Sequence, residues 1–170
     1  MTSNPSDVRA WLAGRLPEQW TADRPAEIEI DREEITIVVH LPLPELPDGS
    51  TDVETAAAVD GRIAGFREDT REHRVRIARD AEHRFQHKVS WGVVVGDRRQ
   101  LFTHLAAPVM TRLRQPERQV LDTLVAANVA RSRSDALAWC VRLVGRNTDE
   151  WLADLRSAME AVDEVRASGP

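Results

Sequence analysis

Cysteine is nearly missing from this chain. Cys140 is the only one among 170 residues, so no disulfide can form within one copy, as suits a reducing compartment. Lysine is equally scarce: of 23 basic residues only Lys88 is not an arginine. No stretch approaches the ~18 consecutive apolar residues of a membrane-spanning helix. The opening MTSNPSDVRAWLAG has no basic region followed by an apolar run, the pattern of a secretory signal. A cytoplasmic protein with no membrane partner is therefore expected.

Catalytic signatures are missing as well. Ser90-Trp91-Gly92 is not a GxSxG elbow, and Gly92–Gly96 lacks the glycines and the Gly-Lys-Ser/Thr of a phosphate loop. His83 and His87 stand four apart, a spacing that can place two imidazoles on one metal. No glutamate follows His83 as in HExxH and no cysteine cluster adds ligands, so a solvated helix face accounts for the pair. His73 and His104 read as packing or surface residues. Cys140, at helical spacing from Leu137 and Val144, reads as a buried structural thiol. Carboxylates are scattered among arginines and no acid–base dyad stands out. No catalytic residue, metal ligand or cofactor is expected, and the chain is not read as an enzyme.

What is present is enough for a folded core: 42% of residues are hydrophobic and 30% charged, which excludes wholesale disorder. The net charge of −5 is unevenly spread. Residues 1–60 hold 4 arginines against 13 acids, whereas residues 61–108 hold 10 basic residues against 6 acids. Residues 109–146 hold 7 arginines against 3 acids, and 147–170 hold 2 against 6. A basic middle thus lies between acidic ends. A local basic face can bind phosphates on an acidic protein, because screening over ~10 Å weakens distant charges.

Along the chain, Ser6 can cap a short helix over Asp7 to Ala13. Glu27–Ile30 and Glu34–Val39 alternate β-branched and polar residues about a turn at Asp31-Arg32-Glu33, a hairpin with one apolar face. Leu41 to Gly49 holds three prolines in six residues and reads as a linker or hinge. From about Val53 to Phe85 the apolar spacing predicts one long helix, its seam formed by Val59, Ile63, Phe66, Thr70, His73 and Ile77. This helix covers the hairpin or, as a second reading, forms a coiled coil between subunits. Val89–Val95 predicts a strand and Gly96-Asp97 a turn, while Leu101–Leu105 fits strand or helix. A last helix runs from Thr148 to about Val165. Trp139 and Trp151 can anchor a dimer interface or pack in a core.

Val109 to Arg114 alternates in an extended chain: Val109, Thr111 and Leu113 point one way, Met110, Arg112 and Arg114 the other. Pro116 suits the first turn of a helix running to Ala127, with Val120, Leu121, Leu124 and Val125 on one side. Asn128 can adopt the left-handed conformation that stops it. Ser132-Arg133-Ser134-Asp135 then resembles a capping box, and the next helix is expected to bury Ala136, Leu137, Cys140, Val141 and Val144. Strand, helix, turn and capped helix in this order resemble the ribbon–helix–helix family of the Arc/MetJ/CopG type. Thr111-Arg112-Leu113 looks like its short strand, Leu121–Val125 like its first helix, and Ala130–Leu137 like its "SRSEA" entry into the second. The likeness covers Val109 to about Arg146. As a whole the chain looks like a member of a small bacterial family that carries no activity with it.

That resemblance implies a homodimer in which two strands pair as an antiparallel ribbon, fit the major groove and contact bases through Met110, Arg112 and Arg114. Ser132, Arg133 and Ser134, at a helix amino end, would hold a backbone phosphate. The expected fold is α+β: residues 1–106 with hairpin, long helix and strand, and residues 107–170 with a strand–helix–helix unit plus an extra helix. The expected function is a DNA-binding transcription regulator whose N-terminal portion can meet a protein partner. The alternative is a non-enzymatic interaction or scaffold dimer that binds no nucleic acid.

Overall fold

The computed structural model describes residues 4–168. The fold is α+β and divides into two compact units, Met1–Pro108 and Val109–Pro170.

The first unit opens with α1 (Pro5–Arg15), capped not by Ser6 but by Asn4, whose side chain accepts the Ser6 N–H at 3.0 Å. Pro5 needs no partner at the first helical position, so the helix starts earlier than expected. A single 3-10 turn at Glu18–Trp20 follows. β1 (Glu27–Ile30) and β2 (Glu34–Leu41) then pair antiparallel, Ile28 opposite Ile37. The Asp31 carboxylate accepts the N–H groups of both Glu33 and Glu34 at 2.8 Å and closes the turn.

β3 (Lys88–Val95) lies parallel to β2, and β4 (Arg98–Leu101) pairs antiparallel with β3, giving the order β1-β2-β3-β4. Parallel neighbours need a crossover. It is supplied by α2 (Asp52–Asp69), which a Thr51–Glu54 capping box starts, and α3 (Arg71–Phe85). The expected single helix is thus two. The break is at Thr70, whose hydroxyl donates back to the Phe66 carbonyl while its own oxygen accepts from Arg74 Nε at 3.0 Å. A threonine bonded back into the preceding turn bends a helix.

Period-two alternation puts Ile35, Ile37 and Val39 of β2 on one face, beside Trp91, Val93 and Val95 of β3. Val59 and Ile63 of α2, Ile77, Ala81 and Phe85 of α3, and Val8 and Leu12 of α1 cover that face. Trp20 meets both Phe66 and Trp91 edge-on. At Gly92 no side chain fits: a Cβ there would stand 2.6 Å from Leu101 Cδ2 and 3.0 Å from the Gln100 carbonyl. Across the opposite face Arg99 of β4 reaches over the sheet to Glu27 and Glu29 of β1. Glu27 is also 2.8 Å from His40 Nε2.

The second unit is a helical hairpin, α4 (Gln115–Ala126) and α5 (Arg133–Asn147), followed by α6 (Asp149–Ser168). Its core is small. Leu121, Ala130 and Ala136 are buried, with Leu113, Leu124, Val125, Leu137 and Cys140 half-buried around them. Two expectations fail here. Val141 and Val144 are not buried but 65% and 55% exposed. Val109–Arg114 forms no strand, because a strand requires a hydrogen-bonded neighbour and a single copy offers this segment none.

Among the described residues no helix is long and apolar enough to cross a membrane.

Candidate nucleic-acid interface

The candidate surface is built outward from the α4–α5 turn. Arg114 caps α4 with an extended backbone (φ −77°, ψ 173°), and Pro116 follows in the first turn. Arg118 Nη1 donates to the Leu113 carbonyl at 2.7 Å, fixing the chain as it enters the helix. At the far end Asn128 takes the left-handed conformation (φ 56°) that asparagine tolerates better than most residues. The Val129 and Ala130 N–H groups then return to the Leu124 carbonyl at 3.0 and 3.3 Å, satisfying an acceptor that the helix end leaves open.

Ser132 caps α5, its hydroxyl accepting the Asp135 N–H at 3.2 Å. Asp135 in turn accepts the Arg131 N–H at 3.0 Å. Of the three residues expected to hold phosphate, Ser132 is therefore occupied by its own helix, while Ser134 is exposed. Arg133 is engaged elsewhere. Its Nε and Nη2 grip Asp122 of α4 at 2.6 and 2.7 Å. That hydrogen bond holds the Asp122 carboxyl below its usual range and raises the Arg133 guanidinium. No sequence periodicity signals this pair, because the two residues stand eleven apart on opposite sides of a turn.

The residues expected to read bases are all exposed. Met110 is 95% exposed, and Arg112 and Arg114 form no ion pair among the described residues. Leu113 packs against the small core, but Val109, expected on the same side, is 85% exposed. A groove of about 320 Å³ runs beside the segment, walled by Val109, Thr111, Leu113, Leu121, Ser134 and Leu137. A separate exposed apolar series lies on α6, where Trp151, Leu155, Met159 and Val162 recur at helical spacing with exposures from 41% to 65%. Of 17 large hydrophobic side chains exposed among the described residues, 12 lie beyond Pro108, in little more than a third of the chain. The other candidates weighed on sequence gather into nothing: His87 is buried with Nδ1 2.7 Å from the Phe85 carbonyl, and no cluster that could hold a metal ion occurs among the described residues.

A family model described as the N-terminal domain of Rv1265-like protein matches residues 6–101, more than half of the chain. The chain belongs to the Rv1265-like protein family. A second model, the Mb1296 C-terminal domain, matches residues 114–166. Each matched segment falls within one of the two units seen in the structure, and Phe102–Leu113 lies between the matches. Among curated relatives, the uncharacterized protein Mb1296 of Mycobacterium bovis is 59% identical over 165 residues. That alignment takes in 97% of this chain and 71% of the relative. The uncharacterized proteins MT1303 and Rv1265 of Mycobacterium tuberculosis match at the same 59% over the same share of each chain. No solved structure matches the chain.

Proposed function

We propose that this chain is a dimeric, non-enzymatic, cytoplasmic DNA-binding protein of the ribbon–helix–helix type, a transcription regulator that reads the major groove with Val109–Arg114 paired to the same segment of a second copy. One observation carries the reading. An extended, unpaired segment with Met110, Arg112 and Arg114 exposed lies against a capped helical hairpin whose own core holds only three buried side chains. A lone strand leaves its backbone groups without partners, and pairing with a second copy satisfies them. The groove beside the segment mixes apolar Val109, Leu113, Leu121 and Leu137 with Arg118 and Arg133, and its apolar part suits the Val109 and Leu113 side chains of a second copy.

Base contacts fall to Met110, Arg112 and Arg114, because an arginine fork matches the acceptors of guanine. Ser134, and Ser132 through the hydroxyl proton that its capping bond leaves unused, offer phosphate contacts at the amino end of α5, and Arg133 joins them only on leaving Asp122.

The test is retention of a random duplex pool by the full chain at two salt concentrations, with sequencing of what is kept. A two-fold symmetric motif with steep salt dependence supports the reading. No retention at either salt refutes it. It would favour the second reading, a scaffold dimer, for which the exposed apolar stripe of α6 is the supporting observation.

A further inference from the structure

The α2–α3 pair carries a charge arrangement that DNA reading by the second unit does not use. Arg67 near the end of α2 and Arg71 and Arg74 in the first turn of α3 flank the break at Thr70. None makes an ion pair among the described residues. Like charges brought together in this way repel, and Arg71 and Arg74 share one turn of α3, so the arrangement is costly as it stands.

Arg74 adds to that cost. It is only 8% exposed and has no carboxylate partner among the described residues. Its Nε donates to Thr70 Oγ1 at 3.0 Å, its Nη2 donates to the Arg67 carbonyl at 2.6 Å, and its guanidinium lies 4.9 Å from the centre of the Phe102 ring. The Arg67 guanidinium lies 5.6 Å from the same ring. Burial and the neighbouring Arg67 and Arg71 lower the Arg74 pKa. A buried cation without a counter-ion is expensive, and an anion held by the neighbouring Arg67 and Arg71 would relieve it.

The room exists. A groove of about 500 Å³ lies between α2 and β4, with Arg67, Arg71, Arg98 and Gln100 on its walls and Ile63 and Ala64 also lining it. Two acids line it as well. Asp60 is spent on Arg98 at 2.8 Å, which leaves Glu68 against Arg67 and Arg71. Every polar group that the arginines and Gln100 can offer as a donor suits an acceptor-only ligand, and the planar guanidinium fork matches phosphate oxygens.

We infer that this groove is a phosphate-binding site, in which Arg67 and Arg71 grip phosphoryl oxygens, Gln100 donates beside them, and Arg74 positions Arg67 from beneath. The ligand bears one or more phosphate groups, either as a small phosphorylated molecule or as the backbone of a nucleic acid. The site lies wholly within the first unit and does not depend on Val109–Arg114 reading DNA.

The experiment is calorimetric titration of the full chain with pyrophosphate, using wild type, the double variant Arg67→Gln with Arg71→Gln, and Arg112→Ala as control. Saturable binding is expected in wild type and in Arg112→Ala. The double variant should bind at least about tenfold more weakly, each tenfold being about 1.4 kcal/mol. Without ligand the double variant should melt no lower than wild type, since it loses like-charge repulsion. No saturable binding, equal binding by the double variant, or a lower unliganded melting temperature would each overturn the assignment. A short DNA duplex added as competitor separates the sources. Displacement of pyrophosphate from Arg112→Ala identifies a nucleic-acid backbone, and its persistence identifies a small phosphorylated ligand.

Discussion

Arg133 and Asp122 form a two-pronged ion pair, Nε to Oδ1 at 2.6 Å and Nη2 to Oδ2 at 2.7 Å, that ties the first turn of α5 to the middle of α4. Both partners are exposed, so the pair sets the geometry of the turn more than its stability. It also decides what Arg133 can do, because a guanidinium held this way is not free to meet a phosphate.

Replacing Asp122 with Asn should lower the melting temperature slightly at neutral pH and not at all in strong acid. The sign follows from the depressed Asp122 pKa, caused first by the Arg133 hydrogen bond. A carboxyl whose folded pKa is depressed contributes stability above its unfolded value, about 4. That contribution fades as pH falls through the lower folded value. Thermal melts of both proteins across pH 2 to 7 should converge at the acid end. A constant gap would mean that the carboxylate acts through something other than its charge.

Gly92→Ala should destabilise the first unit by ~1–3 kcal/mol, the usual cost of overpacking. The added methyl would lie 2.6 Å from Leu101 Cδ2, which can swing away, but also 3.0 Å from the Gln100 carbonyl, which belongs to the paired β4 backbone. Chemical denaturation followed by tryptophan fluorescence reads this directly, since Trp91 is the adjacent residue in β3. An unchanged midpoint would show that β4 moves to make space.

Much of this architecture is legible in the sequence because local chemistry and final structure agree. The β1–β2 hairpin follows from alternation around Asp31, whose carboxylate closes the turn. The starts of α4 and α5 follow from Pro116 and Ser132. The misses have physical causes. Thr70 sits in an unbroken helical spacing, and only its bond to Phe66 reveals the break between α2 and α3. β4 is polar, Arg98-Arg99-Gln100, because it is a sheet edge whose side chains meet Asp60 on one face and Glu27 on the other. Alternation of apolar residues cannot announce such a strand. At the candidate interface the alternation of Val109–Arg114 is not realised in one copy, where Val109 and Thr111 are exposed like Met110, Arg112 and Arg114, and the capture of Arg133 by Asp122 depends on how two helices meet.

The second unit should melt at a temperature that rises with protein concentration. Leu121, Ala130 and Ala136 are its only buried apolar side chains among the described residues, too few to stabilise 62 residues alone. Anything that binds the folded state raises apparent stability by mass action, and a second copy is such a ligand. Sedimentation analysis and melts over a hundredfold concentration range provide the check. A monomer with a concentration-independent transition would remove the dimer from the reading.

Arg112→Ala should abolish sequence preference while leaving the dimer folded and its non-specific DNA affinity nearly intact. Arg112 is exposed, makes no ion pair among the described residues and touches neither hydrophobic core, so its loss should cost the fold little. Against DNA its role is different. A bidentate arginine–guanine contact discriminates against other bases by ~1–3 kcal/mol, and a two-fold dimer makes each contact twice. Phosphate contacts from elsewhere in the molecule persist in the variant, so the salt dependence of binding should fall by no more than the charge removed. The decisive comparison is the motif enriched from a random duplex pool by each protein, with circular dichroism establishing that both are folded. A flat profile for Arg112→Ala beside a sharp one for wild type assigns base reading to this side chain. The same motif from both proteins would mean that Val109–Arg114 only joins two chains and that any reading is done by another surface.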